Sequence, residues 1–127
     1  MTTDTFGLNS IGQISINAHD LGRAEAFYRD VLGVRHLFTV PKMSFFDCGG
    51  IRLMVGLAER PEHDHPSSVL YFRVDDIAKA HAALIERGVR FEAPPHFIAR
   101  LGPRELWMAF FHDSEANLLA LMSEVEA

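Results

Sequence analysis

In "QISINA" (13–18), apolar Ile14 and Ile16 alternate with polar Gln13, Ser15 and Asn17. Period two predicts a strand with one face on a core. The period then changes: Leu21, Ala24, Phe27, Tyr28, Val31 and Leu32 fall at helical spacing and form one apolar stripe. Asp20 stands where a carboxylate can accept from the free N–H groups of a first helical turn. Gly33 stands where a left-handed residue ends a helix. Three short runs follow, "VRHLFTV", "MSFFDC" and "IRLMVGL", separated by Pro41 and Gly49-Gly50. They predict three strands.

The pattern then repeats. "HDLGRAEAFYRDVLGVRHL" (19–37) matches "DDIAKAHAALIERGVRFEA" (75–93), pairing Asp20 with Asp76, Leu21 with Ile77 and Ala24 with Ala80. Gly33-Val34-Arg35 matches Gly88-Val89-Arg90 after a one-residue deletion in the second copy. The strand-like "VLYFRV" precedes the second helix, and "VRFEA", "ELWMAFFHD" and "NLLALMS" follow it as strand candidates. An internal repeat dictates architecture. The prediction is a single α+β domain over residues 1–127, made of two βαβββ modules in tandem. Module 1 covers about 11–58, a linker 59–67, and module 2 about 68–123. Each sheet carries a helix on its outer face, and the two sheets form a cupped half-barrel.

Composition narrows the function classes. At 127 residues the chain suits one domain, and 48% hydrophobic with 23% charged residues describes a globular chain. A net charge of −5 with scattered Lys and Arg argues against nucleic acid, which demands a basic face. No apolar run approaches the roughly 20 residues of a membrane helix, and "MTTDTFGLNS" has no signal-peptide pattern. Cys48 is the sole cysteine, which fits a reducing cytoplasm. A small-molecule ligand is the expected partner.

"HDLGRAEAFYRDVLG", "LYFRVDDIAKAHAALIERG" and "WMAFFHDSEANLLALMS" together resemble the vicinal oxygen chelate superfamily of glyoxalases, bleomycin-resistance proteins and extradiol dioxygenases. The likeness covers about residues 11–123. The superfamily's Asp-Pro-Asp-Gly-Asn turn reads Asp113-Ser114-Glu115-Ala116-Asn117 here. The resemblance implies a divalent ion in the cup, held by His, Glu or Gln on the first and last strand of each module. Those positions fall on Gln13, Leu53, Val69 and Ala120. Only glutamine offers an oxygen, and a divalent catalytic site takes about three protein ligands. The expectation is therefore no metal and no other cofactor.

Period two adds Ser15 and Asn17 to the cup face with Gln13, and Tyr71 and Arg73 with Val69. Met122 follows Ala120 on the last strand. Trp107 is expected as an aromatic wall, and Arg73 can pair with a carboxylate or phosphate. "PPHFIARLGPRELWM" (94–108), punctuated by Pro94-Pro95 and Gly102-Pro103, reads as an irregular loop over the cup. It supplies His96 and Glu105, which with Tyr71 are the acid–base candidates. His63 and His65 in "EHDHPSS" have metal-like spacing, but their Pro-rich charged setting reads as a solvated linker with at most adventitious zinc or nickel affinity.

Three functions remain open: a metal-free small-molecule binder of the bleomycin-resistance kind, a glyoxalase-type lyase, isomerase or dioxygenase, and a non-catalytic interaction domain. The first is preferred, as a homodimer.

Overall fold

The structure, a computed structural model, describes residues 6–127. Module 1 runs β1 (Gln13–Ala18), α1 (Leu21–Ala26), a π-wound turn (Phe27–Val31), β2 (Arg35–Val40), β3 (Met43–Cys48) and β4 (Ile51–Leu57). A short helical turn (Pro61–His63) lies in the linker. Module 2 runs β5 (Leu70–Arg73), α2 (Ile77–Glu86), β6 (His96–Leu101), β7 (Arg104–His112) and β8 (Leu118–Glu126). The sheets have the orders β1-β4-β3-β2 and β5-β8-β7-β6. In each, the first strand pairs parallel with the last and the other pairs are antiparallel. The tandem βαβββ architecture expected from the repeat is the observed one.

The helix signals act as their chemistry requires. Asp20 accepts from Arg23 N and Asp76 from Lys79 N, both at 3.0 Å. Gly33 and Gly88 take φ of 73° and 92° at the helix ends, where a Cβ would be strained. The extra residue of the first copy has a place: Leu32 N bonds Phe27 O at 3.0 Å, a five-residue step. The insertion is absorbed by π winding, the usual way a helix takes one residue too many. Both modules also carry a bulge in their second strand, at Leu37 and at Ile98.

One core serves both modules. Ile16, Phe46, Leu53 and Val55 of the first sheet join Phe111, Leu119 and Leu121 of the second, with Ala24, Tyr28 and Leu84 from the helices. These side chains all lie on the helix-bearing faces. A polar joint locks the modules together. The Tyr28 hydroxyl donates to Asp113 Oδ2 at 2.6 Å, and Asn117 Nδ2 donates to Asn17 O at 2.8 Å. The Glu115 carboxylate accepts from His19 N, Asp20 N and the Arg23 guanidinium at 2.7–3.2 Å.

Two expectations for module 2 need correction. "VRFEA" supplies only an isolated bridge, Phe91 to Phe111. The second strand of the module comes instead from the stretch read as an irregular loop: residues 96–101 form β6, turning at Gly102 (φ 62°) into β7. Pro94-Pro95 lies before the strand and Pro103 in the turn, so neither removes a ladder donor.

Candidate functional site

Partners in a ladder point the same way, so the register assigns every side chain to a face. On the first sheet, Gln13, Ser15 and Asn17 share the open face with Arg52, Met54 and Gly56, their partners on β4. Met43, Phe45 and Asp47 of β3 lie there too. On the second sheet, Tyr71 and Arg73 share the open face with Ala120 and Met122. Val69 immediately precedes β5, outside the ladder.

Leu53, expected in the cup, is on the opposite face, 2% exposed among the core residues. "IRLMVGL" is apolar throughout, so its faces could not be told apart by alternation. The register resolves them: Ser15 pairs with Met54 as Tyr71 pairs with Ala120. The fourth implied ligand position is therefore Met54.

The resulting set, Gln13, Met54, Val69 and Ala120, does not fit a divalent cation. Gln13 has the one hard donor, and its Oε1 already accepts from Arg52 Nε at 2.7 Å. Its Nε2 approaches Met54 Sδ at 3.7 Å. A guanidinium this close would oppose a divalent cation. Arg52 also lies 5.5 Å from the centroid of Phe45, which stacks on Phe38 at 4.7 Å. The position that the resemblance assigns to a metal carries instead a guanidinium on an aromatic platform. Among the described residues, no three His, Cys, Asp or Glu side chains gather closely enough to hold a metal.

Beside that position is a cavity of about 340 Å³, lined by Ser15, Asn17, Met43, Met54, Glu59 and His63 among others. Gly56 lies beneath it; a Cβ there would stand 3.1 Å from Lys42 O and 3.2 Å from Met43 Cγ, so a larger residue would crowd the β2–β3 turn. The linker forms one wall. Asn17 Nδ2 donates to His63 O (3.1 Å) and His65 O, and Asn17 N donates to Ser67 Oγ at 2.9 Å. His19 Nε2 meets Asp64 Oδ1 at 2.7 Å. The His pair thus lies on a strap pinned along the edge of the first sheet, and its backbone is what Asn17 grips.

The second open face carries Tyr71, 46% exposed and edge-on to Phe110 at 6.1 Å. Ala120 is fully buried beneath it. Arg73 stands 4.0 Å from Glu124. Trp107 is not part of this face. It pairs with Ser123 and lies on the side of Ala109 and Phe111, packed against Phe97, with its indole N–H donating to Glu105 Oε1 at 3.2 Å. Glu105 shares that side and meets Arg100 at 3.6 Å, whereas His96 pairs with Met108 on the open side. His96 and Glu105 point to opposite faces and do not form an acid–base pair. "ELWMAFF" is apolar on both faces, and the bulge at Ile98 shifts parity, so alternation misplaced them.

Another cluster has the residue types of a nucleophile site. His36 Nε2 lies 2.8 Å from Thr39 Oγ1 and 3.1 Å from Ser44 Oγ, and Ser44 donates to Glu25 Oε1 at 2.9 Å. Thr39 donates to the same carboxylate oxygen. Both hydroxyl protons therefore go to Glu25, whose carboxyl is held below its ordinary value chiefly by Thr39. His36 Nε2 must then be the donor toward the two oxygens. That arrangement leaves neither hydroxyl proton directed at the imidazole, and Ser44 is fully buried.

The paired βαβββ modules with helix-free open faces define a protein of the vicinal oxygen chelate fold. The sequence profile of the Glyoxalase/Bleomycin resistance protein/Dioxygenase superfamily matches residues 10–101, and the chain belongs to that superfamily. It is 27% identical over 126 residues to the uncharacterized protein YraH of Bacillus subtilis, covering 86% of this chain and 94% of that one. Its fold is similar to that of the lactoylglutathione lyase of Agrobacterium tumefaciens, with TM-score 0.71, 23% identity, and coverage of 91% and 94%. It is also similar to a superfamily member from Sphaerobacter thermophilus, with TM-score 0.77, 21% identity, and coverage of 91% and 98%.

Proposed function

We propose that this chain binds a small oxygen-bearing organic molecule on its open sheet faces without a metal. The carrying observation is Arg52, whose guanidinium bonds Gln13 where the superfamily's cation would lie. The ligand's apolar body rests against Met43 and Met54 beside Ser15 and Asn17, and its oxygens face Arg52. Thioethers adapt to varied shapes, and a few polar groups against apolar walls fix orientation. Tyr71 and Arg73 belong to the second half of the same cup. Phe38 and Tyr71 are 47% and 46% exposed on these faces, which supports a homodimer in which the faces of two copies meet.

Thermal-shift screening of aromatic, thiol-conjugate and antibiotic compounds tests this reading. A ligand at 100 times its Kd adds about 2.7 kcal/mol and raises the melting temperature. The expected hit is weakened by Arg52→Ala and abolished by Ser15→Phe. A hit indifferent to both variants, or none across the panel, contradicts the proposal. Light scattering should give a dimer at micromolar concentration; a monomer contradicts the paired-face arrangement.

A further inference from the structure

A second cavity, of about 330 Å³, lies away from the open faces, on the helix side where the two modules meet. Module 1 contributes Leu32 and Val34, and module 2 contributes Phe72, Ala83, Leu84 and Phe111 among others. Its floor is core: Phe111 is fully buried and Leu121 is 4% exposed. Carboxylates outnumber cations in the whole chain, 17 to 12, yet no carboxylate lines this cavity. The charged residues in its lining are Arg73 and Arg87. Arg73 turns its guanidinium to Glu124 on the open face. Arg87 is the one that stays: from the end of α2 its Nη1 donates to Val31 O at 2.8 Å, bridging the modules. Gly33 beside it has no side chain to screen it, an ideal Cβ there lying 3.9 Å from that nitrogen.

An apolar cleft with one cation and no anion selects for an amphipathic anion. We propose that this inter-module cleft is a ligand site for a small monoanion with an aliphatic or aryl body, its carboxylate on Arg87 and its body on Leu84, Phe111 and Leu121. At about 30 Å³ per water-sized group, the volume suits roughly ten non-hydrogen atoms, the size of octanoate. Because it touches both modules, such a ligand adds to the Arg87–Val31 bridge and stabilises their mutual placement. Of the residues named on the open faces, the cleft shares Arg73 alone, and the proposed ligand is distinct from what those faces bind.

Octanoate is the probe, with octanol and octylamine as head-group controls, titrated into the full chain and followed by amide chemical shifts. Octanoate should bind saturably, with shifts centred on Leu32, Val34, Ala83 and Leu84. Octanol should bind about tenfold or more weakly, and octylamine weaker still. Ala83→Trp fills the mouth from an exposed position without disturbing the core, and should abolish binding. Arg87→Gln should weaken octanoate about tenfold and leave octanol unchanged. Thermal unfolding of each variant confirms that it folds. The proposal is overturned if octanoate does not bind at millimolar concentration, if its shifts centre on Ser15 or Tyr71, or if folded Ala83→Trp binds it as well as the parent.

Discussion

Glu115→Gln tests the joint between the modules. The Glu115 side chain is 1% exposed, against 55% for its partner Arg23. Burial alone would raise its carboxyl. The Arg23 guanidinium, the N–H groups of Asp20 and His19 and the Ser114 hydroxyl overcome that and hold it at about 2, against an ordinary 4.5. The folded value lies below the unfolded one, so the unfolded chain binds the extra proton. The contribution is complete above about pH 5 and is lost as pH falls through 4.5 toward 2. At 1.36 kcal/mol per pH unit, the displacement is worth about 3 kcal/mol as a ceiling, since Arg23 stays half in water. Glutamine can still accept from the two backbone N–H groups, but its amide meets Arg23 donor to donor. Urea unfolding should show the variant less stable by about 2–3 kcal/mol at pH 7, with the gap closing as pH falls to 2.5. The sole tryptophan, Trp107, reports the transition. Other carboxylates titrate alike in both proteins, so the difference isolates Glu115. Parallel stability curves from pH 7 to 2.5 would refute the reasoning.

Further expectations follow from particular residues. Ala116 holds φ 67° where the superfamily turn has glycine; Ala116→Gly should gain about 0.5–1 kcal/mol, seen as a rise of a few degrees in Tm. Tyr28→Phe removes a 2.6 Å hydrogen bond to the buried Asp113 and should cost about 1.5–3 kcal/mol in chemical denaturation. Leu53→Ala should cost about 2–5 kcal/mol, whereas Met54→Ala, on the open face, should cost under about 1 kcal/mol; equal costs would reverse the register assigned to β4.

Sequence revealed the repeat because both copies must cap, stop and alternate in the same way. Asp20, Asp76, Gly33 and Gly88 carry local chemistry that reads the same in any context. The one-residue mismatch between the copies was visible too, and needed only the π turn to explain it. Faces were readable where polar and apolar residues alternate, as in Gln13–Asn17 and Tyr71–Arg73. They were not readable in "IRLMVGL" and "ELWMAFF", where both faces are apolar, and there Leu53 and Trp107 were misplaced. The signal overlooked in the first of these runs was its lone charge, Arg52, which marks the open face. Glu115 was legible only as a member of the turn 113–117; its part in the joint was not, because its partners His19, Asp20 and Arg23 are more than 90 residues away along the chain.

The claim that Arg52 replaces a metal is tested most directly by elemental analysis of untagged protein carrying His63→Ala and His65→Ala, which removes the adventitious pair. After incubation with zinc, nickel, iron and manganese and passage through a desalting column, the account predicts far less than one equivalent of any metal per chain. One equivalent retained by that variant would contradict it.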